Sequence, residues 1–330
     1  MKRGRAILLL PVLTGILAVS VMAGFLFGSV RFSLSEIVSA LFTEDGDASI
    51  RLILLQLRLP RILAAGLAGA GLSVAGLLLQ TATDNDLCSP SVMGVNAGAG
   101  FAVMLCMCVF PMLHAWLPAT AFAGAAFTTL LVLGMSFSSA GRGIRTKVIL
   151  SGVAVAALFN AGISLLSQLY PDVLPSYAAF SAGGFRDIYA DALIVPGSMI
   201  LVGILAAELL SPKLNVLCLG DDLAMGLGVA VKPLRFVALA LASALCGAVV
   251  SFAGLLGFVG LIVPHMARRL AGHDIRLLIP VSVVSGATLV ILSDLVARTL
   301  FSPAELPAGI LMAALGAPFF LYLLFRRRRV

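Results

Sequence analysis

The chain has 330 residues, of which 61% are hydrophobic and only 11% charged, against about 45–50% and about 25% in a soluble domain. This excludes a soluble fold, which could not hide so much apolar surface, and a disordered chain, which would be apolar-poor and charge-rich. The formal net charge of +7 gathers at the ends, Met1-Lys2-Arg3-Gly4-Arg5 and Arg326-Arg327-Arg328-Arg329, as in segments kept on the cytoplasmic side of a membrane; no nucleic-acid partner is implied.

The apolar stretch 6–30 opens the series of predicted elements. At about 25 residues it exceeds a signal-peptide core of ~7–15 and suffices for a ~30 Å hydrocarbon layer at ~1.5 Å per residue, so it reads as an uncleaved first span. Nine more follow at 61–81, 92–110, 116–138, 148–169, 191–210, 236–255, 257–270, 277–297 and 307–325. The eighth is the shortest and starts among Gly254, Gly257 and Gly260. Both termini then lie inside, with 82–91, 139–147, 211–235 and 271–276, while 31–60, 170–190 and 298–306 lie outside. Of 22 Lys and Arg, 16 fall on the inside, the asymmetry that fixes such an orientation. The expected fold is an all-α, polytopic helical bundle forming one transmembrane domain over 1–330.

Small residues recur at four-residue spacing, as in Gly94–Gly98, Gly69–Ser73, Gly71–Ala75 and Gly247–Ser251, which lets helix backbones approach in a bundle. Ala-Gly-Leu-Leu occurs at 75–78 and 253–256, in the second and seventh spans. That fits a five-plus-five repeat, although the abundance of Ala, Gly and Leu explains it as well.

Absences narrow the function. No G-x-x-x-x-G-K-[ST] loop exists to cradle a nucleotide, and no H-E-x-x-H, His/Cys cluster or G-x-S-x-G offers catalysis or a metal site. The five cysteines, including Cys106 and Cys108, read as apolar filling. An ion-driven carrier would keep carboxylates deep in its spans. Here Glu208 lies near an inner end, and Asp294 is expected to be neutralised by Arg298 at i,i+4 near the outer surface. Transport is therefore expected to be powered from elsewhere.

The longest inside loop, 211–235, predicts a short amphipathic helix. Gly220 breaks the chain, Asp221 or Asp222 can cap, Leu223, Ala224, Met225 and Leu227 make an apolar stripe, and Gly228 is a stop. Such a helix either lies on lipid headgroups or docks into a groove of a soluble partner.

Several stretches resemble the permeases of type II ABC importers, the iron-siderophore, heme and cobalamin uptake systems. They are Leu57-Arg58-Leu59-Pro60-Arg61, Asn85-Asp86-Leu87-Cys88-Ser89-Pro90 with Met93–Ala99, Leu219–Gly228, Gly257–His265, Ala304–Gly309 and Leu315–Phe320. The resemblance implies a ten-span subunit that pairs with a second copy, sits on two copies of a cytoplasmic ATPase that uses ATP and Mg2+, and receives cargo from an extracytoplasmic binding protein. The chain itself would bind no cofactor or metal. It further implies coupling to the ATPase through Gly220, Asp221, Asp222, Ala224, Leu227 and Gly228. Arg58, Arg61 and Arg298 would dock the binding protein, and Asn85, Asp86, Leu87 and Pro90, with Lys147 and Ser151, would form a cytoplasmic gate. Asp86 stands where this family usually has proline, and Ser89 where it usually has a carboxylate. Siderophore-type iron chelate is the expected cargo, with heme or cobalamin as alternatives and a stand-alone secondary carrier or channel as the rival class.

Overall fold

A computed structural model describes residues 3–28, 30, 32–42, 47–137, 144–302 and 304–327. Lys2, Arg31, Arg142, Arg328 and Arg329, used above in the charge count, lie outside the described residues. In chain order the helices are α1 (Arg3–Leu26), α2 (Leu34–Phe42), α3 (Ala48–Leu52), α4 (Leu59–Thr83), α5 (Val95–Val109), α6 (Leu117–Phe137) and α7 (Ile144–Leu169). They continue with α8 (Leu174–Ala182), α9 (Ala190–Leu217), α10 (Asp221–Gly226), α11 (Val231–Ala253), α12 (Val259–Ala271), α13 (Ile275–Leu300) and α14 (Ala308–Arg327). Among the described residues there is no strand.

Each of the ten predicted spans has its helix: α1, α4–α7, α9 and α11–α14. Seven helical rods are long and apolar enough to cross a membrane, while α5 and the apolar part of α14 are shorter. With 13 residues, α12 reaches only about 20 Å at ~1.5 Å per residue and cannot cross by itself.

Three expectations change. The outer segment 31–60 is not a simple loop: α2 stands in it, and α3 runs through a π-helical turn, Ile53–Arg58, directly into α4. Leu59 N–H donates to Leu54 C=O five residues back, the wider spacing of a π turn. Arg58 and Arg61 therefore lie within one rod, Ala48–Thr83, rather than at its entrance. The predicted inside loop 211–235 shrinks to 218–230, because α9 carries on through Pro212 to Leu217. Asn215 anchors that extension, donating to Asp274 Oδ1 at 2.7 Å and accepting from Ile275 N–H at 2.8 Å. Finally, the two Ala-Gly-Leu-Leu quartets occupy unlike places, one wholly inside the C-terminal half of α4 and one starting on the last residue of α11 and running into the break before α12, so they mark no shared position of a repeat.

The centre of the bundle is α4, in a rod with 83% of its apolar window buried. Small residues put it there. A Cβ added at Gly69 would fall on the Gly286 carbonyl of α13, and one at Gly76 on the Gly260 backbone of α12, so only glycine permits these contacts. Ser73 Oγ then donates to Ser282 C=O of α13 at 2.8 Å. Gly98 likewise sits against Gly124 and Thr128 of α6. With lipid as solvent, such close packing and buried hydrogen bonds hold helices together where no hydrophobic drive remains.

Candidate functional site

Residues of interest collect at the two ends of the bundle. At the end assigned to the cytoplasm, α10 follows Gly220, whose φ of 102° is open to glycine at little cost. Neither predicted cap acts: Gly220 is the N-cap, and no side chain caps the helix. The Asp221 carboxylate turns instead to Arg235 of α11, which donates from Nη1 to Oδ2 at 2.8 Å and from Nη2 to Oδ1 at 2.6 Å. A bidentate, charge-assisted pair is stronger than a backbone cap, and the Arg235 side chain is only 4% exposed. The C-terminus ends as expected. Gly228 (φ 82°) donates to Met225 C=O and Val229 N–H to Ala224 C=O, the two bonds of a Schellman stop. The predicted apolar stripe divides. Ala224 is fully buried, whereas Leu223, Met225 and Leu227 are 62%, 56% and 64% exposed, and Asp222 is exposed beside them.

At the same end, α4 stops at Asp84 in the left-handed region (φ 50°), and a tight turn follows. Asn85 Oδ1 accepts from Leu87 N–H at 3.0 Å and Asn85 C=O from Cys88 N–H at 3.0 Å, so Asn85 replaces a backbone turn with its own side chain. Buried Pro90 accepts from Val95 N–H at 3.2 Å. Burial also pushes the Cys88 thiol pKa up to about 11. Asp86 pairs at 3.2 Å with Arg268 of α12, which also donates to Gln80 Oε1 at 2.6 Å. The other half of the predicted gate, on α7, is reached through a neighbour. A Cβ added at Gly152 would lie 2.9 Å from Met93 Cα, and Gly94 (φ 76°) seats against the Gly152 carbonyl. Ser151, one residue earlier, donates to Lys147 C=O at 2.7 Å and faces Ser136 Oγ of α6 at 3.1 Å.

At the opposite end, the three predicted docking arginines turn inward. Arg58 is 5% and Arg298 4% exposed. Arg58 donates to Phe25 and Val30 C=O, with its guanidinium 4.4 Å over the Phe32 ring, and Arg298 donates to Gly24 C=O at 2.7 Å. Gly24 and Phe25 are in the last turn of α1, so cations satisfy carbonyls that a helix end leaves open. Ala23 and Leu26 C=O accept from Phe27 and Phe32 N–H, which completes that end. Arg61 binds Asp294 bidentately, at 2.9 and 3.0 Å, and Glu305 at 2.8 Å. The expected i,i+4 pair forms but is long, with Arg298 Nε 4.0 Å from Asp294 Oδ2; the closer partner is Arg61 from α4, whose planar fork meets both oxygens. Arg58, Arg61, Arg298 and Glu305, with Arg186 and Tyr189, line an outward cavity of about 660 Å3. The Arg186 side chain is 79% exposed.

Two features are missing from the sequence-derived site. Arg268 and Gln80 organise the cytoplasmic turn, yet an Arg near a span end reads as a topology signal, and a lone Gln is silent. The other is α7, whose apolar window is only 22% buried. Asn160, Ser164 and Gln168 are exposed at four-residue spacing along it, a polar stripe that periodicity alone could have revealed.

The comparisons with known proteins agree with this geometry. The chain is 38% identical over 326 residues to the Fe(3+)-citrate import system permease protein YfmE of Bacillus subtilis, covering 98% of this chain and 96% of that one. It is also 38% identical over 306 residues to the Iron(3+)-hydroxamate import system permease protein FhuB of the same organism, covering 92% and 79%. A solved structure described as an inward-facing conformation of a metal-chelate type ABC transporter superposes with a TM-score of 0.85 at 34% identity, over 96% of this chain and 99% of that one. The family model that matches residues 16–326 is that of FecCD transport, and the chain, a multi-pass membrane permease, belongs to the FecCD transport family.

Proposed function

We propose that this chain is the membrane-spanning permease subunit of an ATP-driven importer, and that it moves a siderophore-type or citrate-type iron chelate by alternating access. The observation that carries this reading is α10: a short helix clamped to the bundle through Asp221 and Arg235, with Leu223, Met225 and Leu227 left bare. In this family context that ridge serves as a docking element for a groove on a soluble ATPase. The ATPase subunits, two per importer, hold ATP and Mg2+, and the permease needs no cofactor or metal of its own.

On this reading the whole chain acts as one permease domain and pairs with a second copy. A row of Asn160, Ser164 and Gln168 is costly against lipid, and a water-filled path between two α7 helices gives it solvent. Cargo arrives on an extracytoplasmic binding protein, whose carboxylates reach Arg58, Arg61 and Arg298 through the outward cavity by exchanging with their present partners. The turn from Asn85 to Pro90, with Lys147 and Ser151 of α7, closes the inner mouth.

Reconstitution tests the proposal. Liposomes holding the permease with its ATPase and binding protein should accumulate ferric chelate only with ATP. Uptake by the permease alone, driven by an ion gradient, would overturn it in favour of a secondary carrier.

A further inference from the structure

The cytoplasmic turn is gripped on two sides by very different surfaces. One side is a rigid block. The α4 and α12 backbones touch at Gly76 and Gly260, Gln80 Nε2 donates to Gly260 C=O at 3.2 Å, and Arg268 Nη1 closes the bracket on Gln80 Oε1 at 2.6 Å. Gln80 is 2% exposed and the Arg268 side chain 13%, so this bracket is largely shielded from water. The other side is α7, much of which is bare, where Met93 and Gly94 rest on Gly152. The ion pair from Arg268 to Asp86, at 3.2 Å, ties the α12 side of the bracket to the turn's tip, while Asn85 N–H donates to Gln80 C=O at 3.1 Å at its root.

We infer that Arg268 is a positioning residue that latches the cytoplasmic turn to the α4–α12 block through Asp86, so that the turn opens and closes with that block rather than with α7. The inference rests on the importer reading and deepens it. It also gives Asp86 a role: a proline there would stiffen the turn through its ring, whereas the carboxylate holds it from outside. Asp86 is about half exposed, with 46% of its side chain accessible, so the latch can be broken and remade, as a moving part requires, where a fully buried pair would resist opening.

Cys88, two residues from Asp86 and 1% exposed, is a built-in reporter. Its alkylation by a maleimide, read by peptide mass spectrometry on the intact permease in nanodiscs, needs no ATPase and therefore stands or falls separately from the importer reading. Asp86→Asn keeps the Arg268–Gln80 bond and removes the charge that pairs with Arg268; it should speed Cys88 alkylation about fivefold, the scale of a partly exposed pair. Raising salt should speed the wild type and leave Asp86→Asn unchanged, because only the former has a pair to screen. The swap Asp86→Arg with Arg268→Asp should restore slow labelling. Wild-type labelling rates in Asp86→Asn would overturn the latch. Faster labelling with an unchanged ratio of chelate imported to ATP hydrolysed, measured in the full importer, would overturn its part in gating while leaving the importer reading intact.

Discussion

The two ends of this bundle treat their side chains in opposite ways. At the outer end three arginines, two buried and Arg61 largely so, are bound within the chain, to helix-end carbonyls or to Asp294 and Glu305. At the cytoplasmic end Leu223 and Met225 of α10 and Leu227 at its C-cap stand in the open, while buried Arg235, paired with the partly exposed Asp221, fixes the helix beneath them. Charge buried and satisfied adds rigidity, whereas apolar surface left bare on a rigid mount is a place for another protein. The contrast places the demand for a partner most plainly on the inner face.

The sharpest way to break that contrast is to charge the ridge. Leu223→Glu and Leu227→Glu should each reduce ATP-coupled uptake at least about tenfold, as expected when a central interface anchor is lost, yet leave thermal unfolding of the permease within about 0.5 kcal/mol, as exposed sites allow. Ala224→Asp should do the reverse of sparing the fold, because its side chain would enter a fully buried position with no partner for its charge. Equal melting temperatures for Leu227→Glu and Ala224→Asp would dissolve the distinction between ridge and mount.

The outer end can be probed by removing an anion. Asp294→Ala strips Arg61 of its bidentate partner and leaves Arg298 with less compensation, which should cost about 3–5 kcal/mol for a broken buried pair, read as loss of folded permease in a denaturant titration. Phe32→Leu removes only the ring beneath Arg58 and should cost about 1 kcal/mol in the same titration. A neutral Asp294→Ala would mean that the outer arginines are held loosely enough for a docking protein to take them at no expense to the fold.

Most of the bundle is legible in the sequence, because spans obey a length and a polarity that lipid imposes on every helix. Tertiary contacts are not, since nothing near Asp294 in sequence identifies Arg61, 233 positions away. The same holds at the gate, where Asn85 and Pro90 announce a turn but Arg268 reaches it from another helix. The six-residue α10 was readable from its glycines. Its cap was misjudged because the competing partner, Arg235, lies a helix away. The place of Arg58 was hidden for a third reason: a π turn joins α3 to α4, so the entrance suggested by Pro60 is an interior.

One local signal was fully available. Ser33-Leu34-Ser35-Glu36 is a capping box, and the structure forms it: Ser33 N–H donates to Glu36 Oε2 at 2.7 Å and Glu36 N–H to Ser33 Oγ at 3.3 Å. Phe32 just before it packs in the same small cluster as Ile37, the staple that accompanies such a box. The bond from Ser33 N–H holds the Glu36 carboxyl below its ordinary pKa. A carboxyl lowered in the folded state contributes above its unfolded pKa and loses that contribution as pH falls through the folded value. Amide exchange at Glu36 and Ile37, corrected for intrinsic rate, should therefore show more fraying of α2 at pH 3 than at pH 6, and Glu36→Gln should abolish the difference. This is the smallest effect of the series, because α2 lies beside the arginine cluster without carrying any of its charge. Were the same acid shift to loosen α1 as well, the helix-end carbonyls bound by Arg58 and Arg298 would depend on α2, and the outer end would be one cooperative unit rather than a rigid core with a pendant helix.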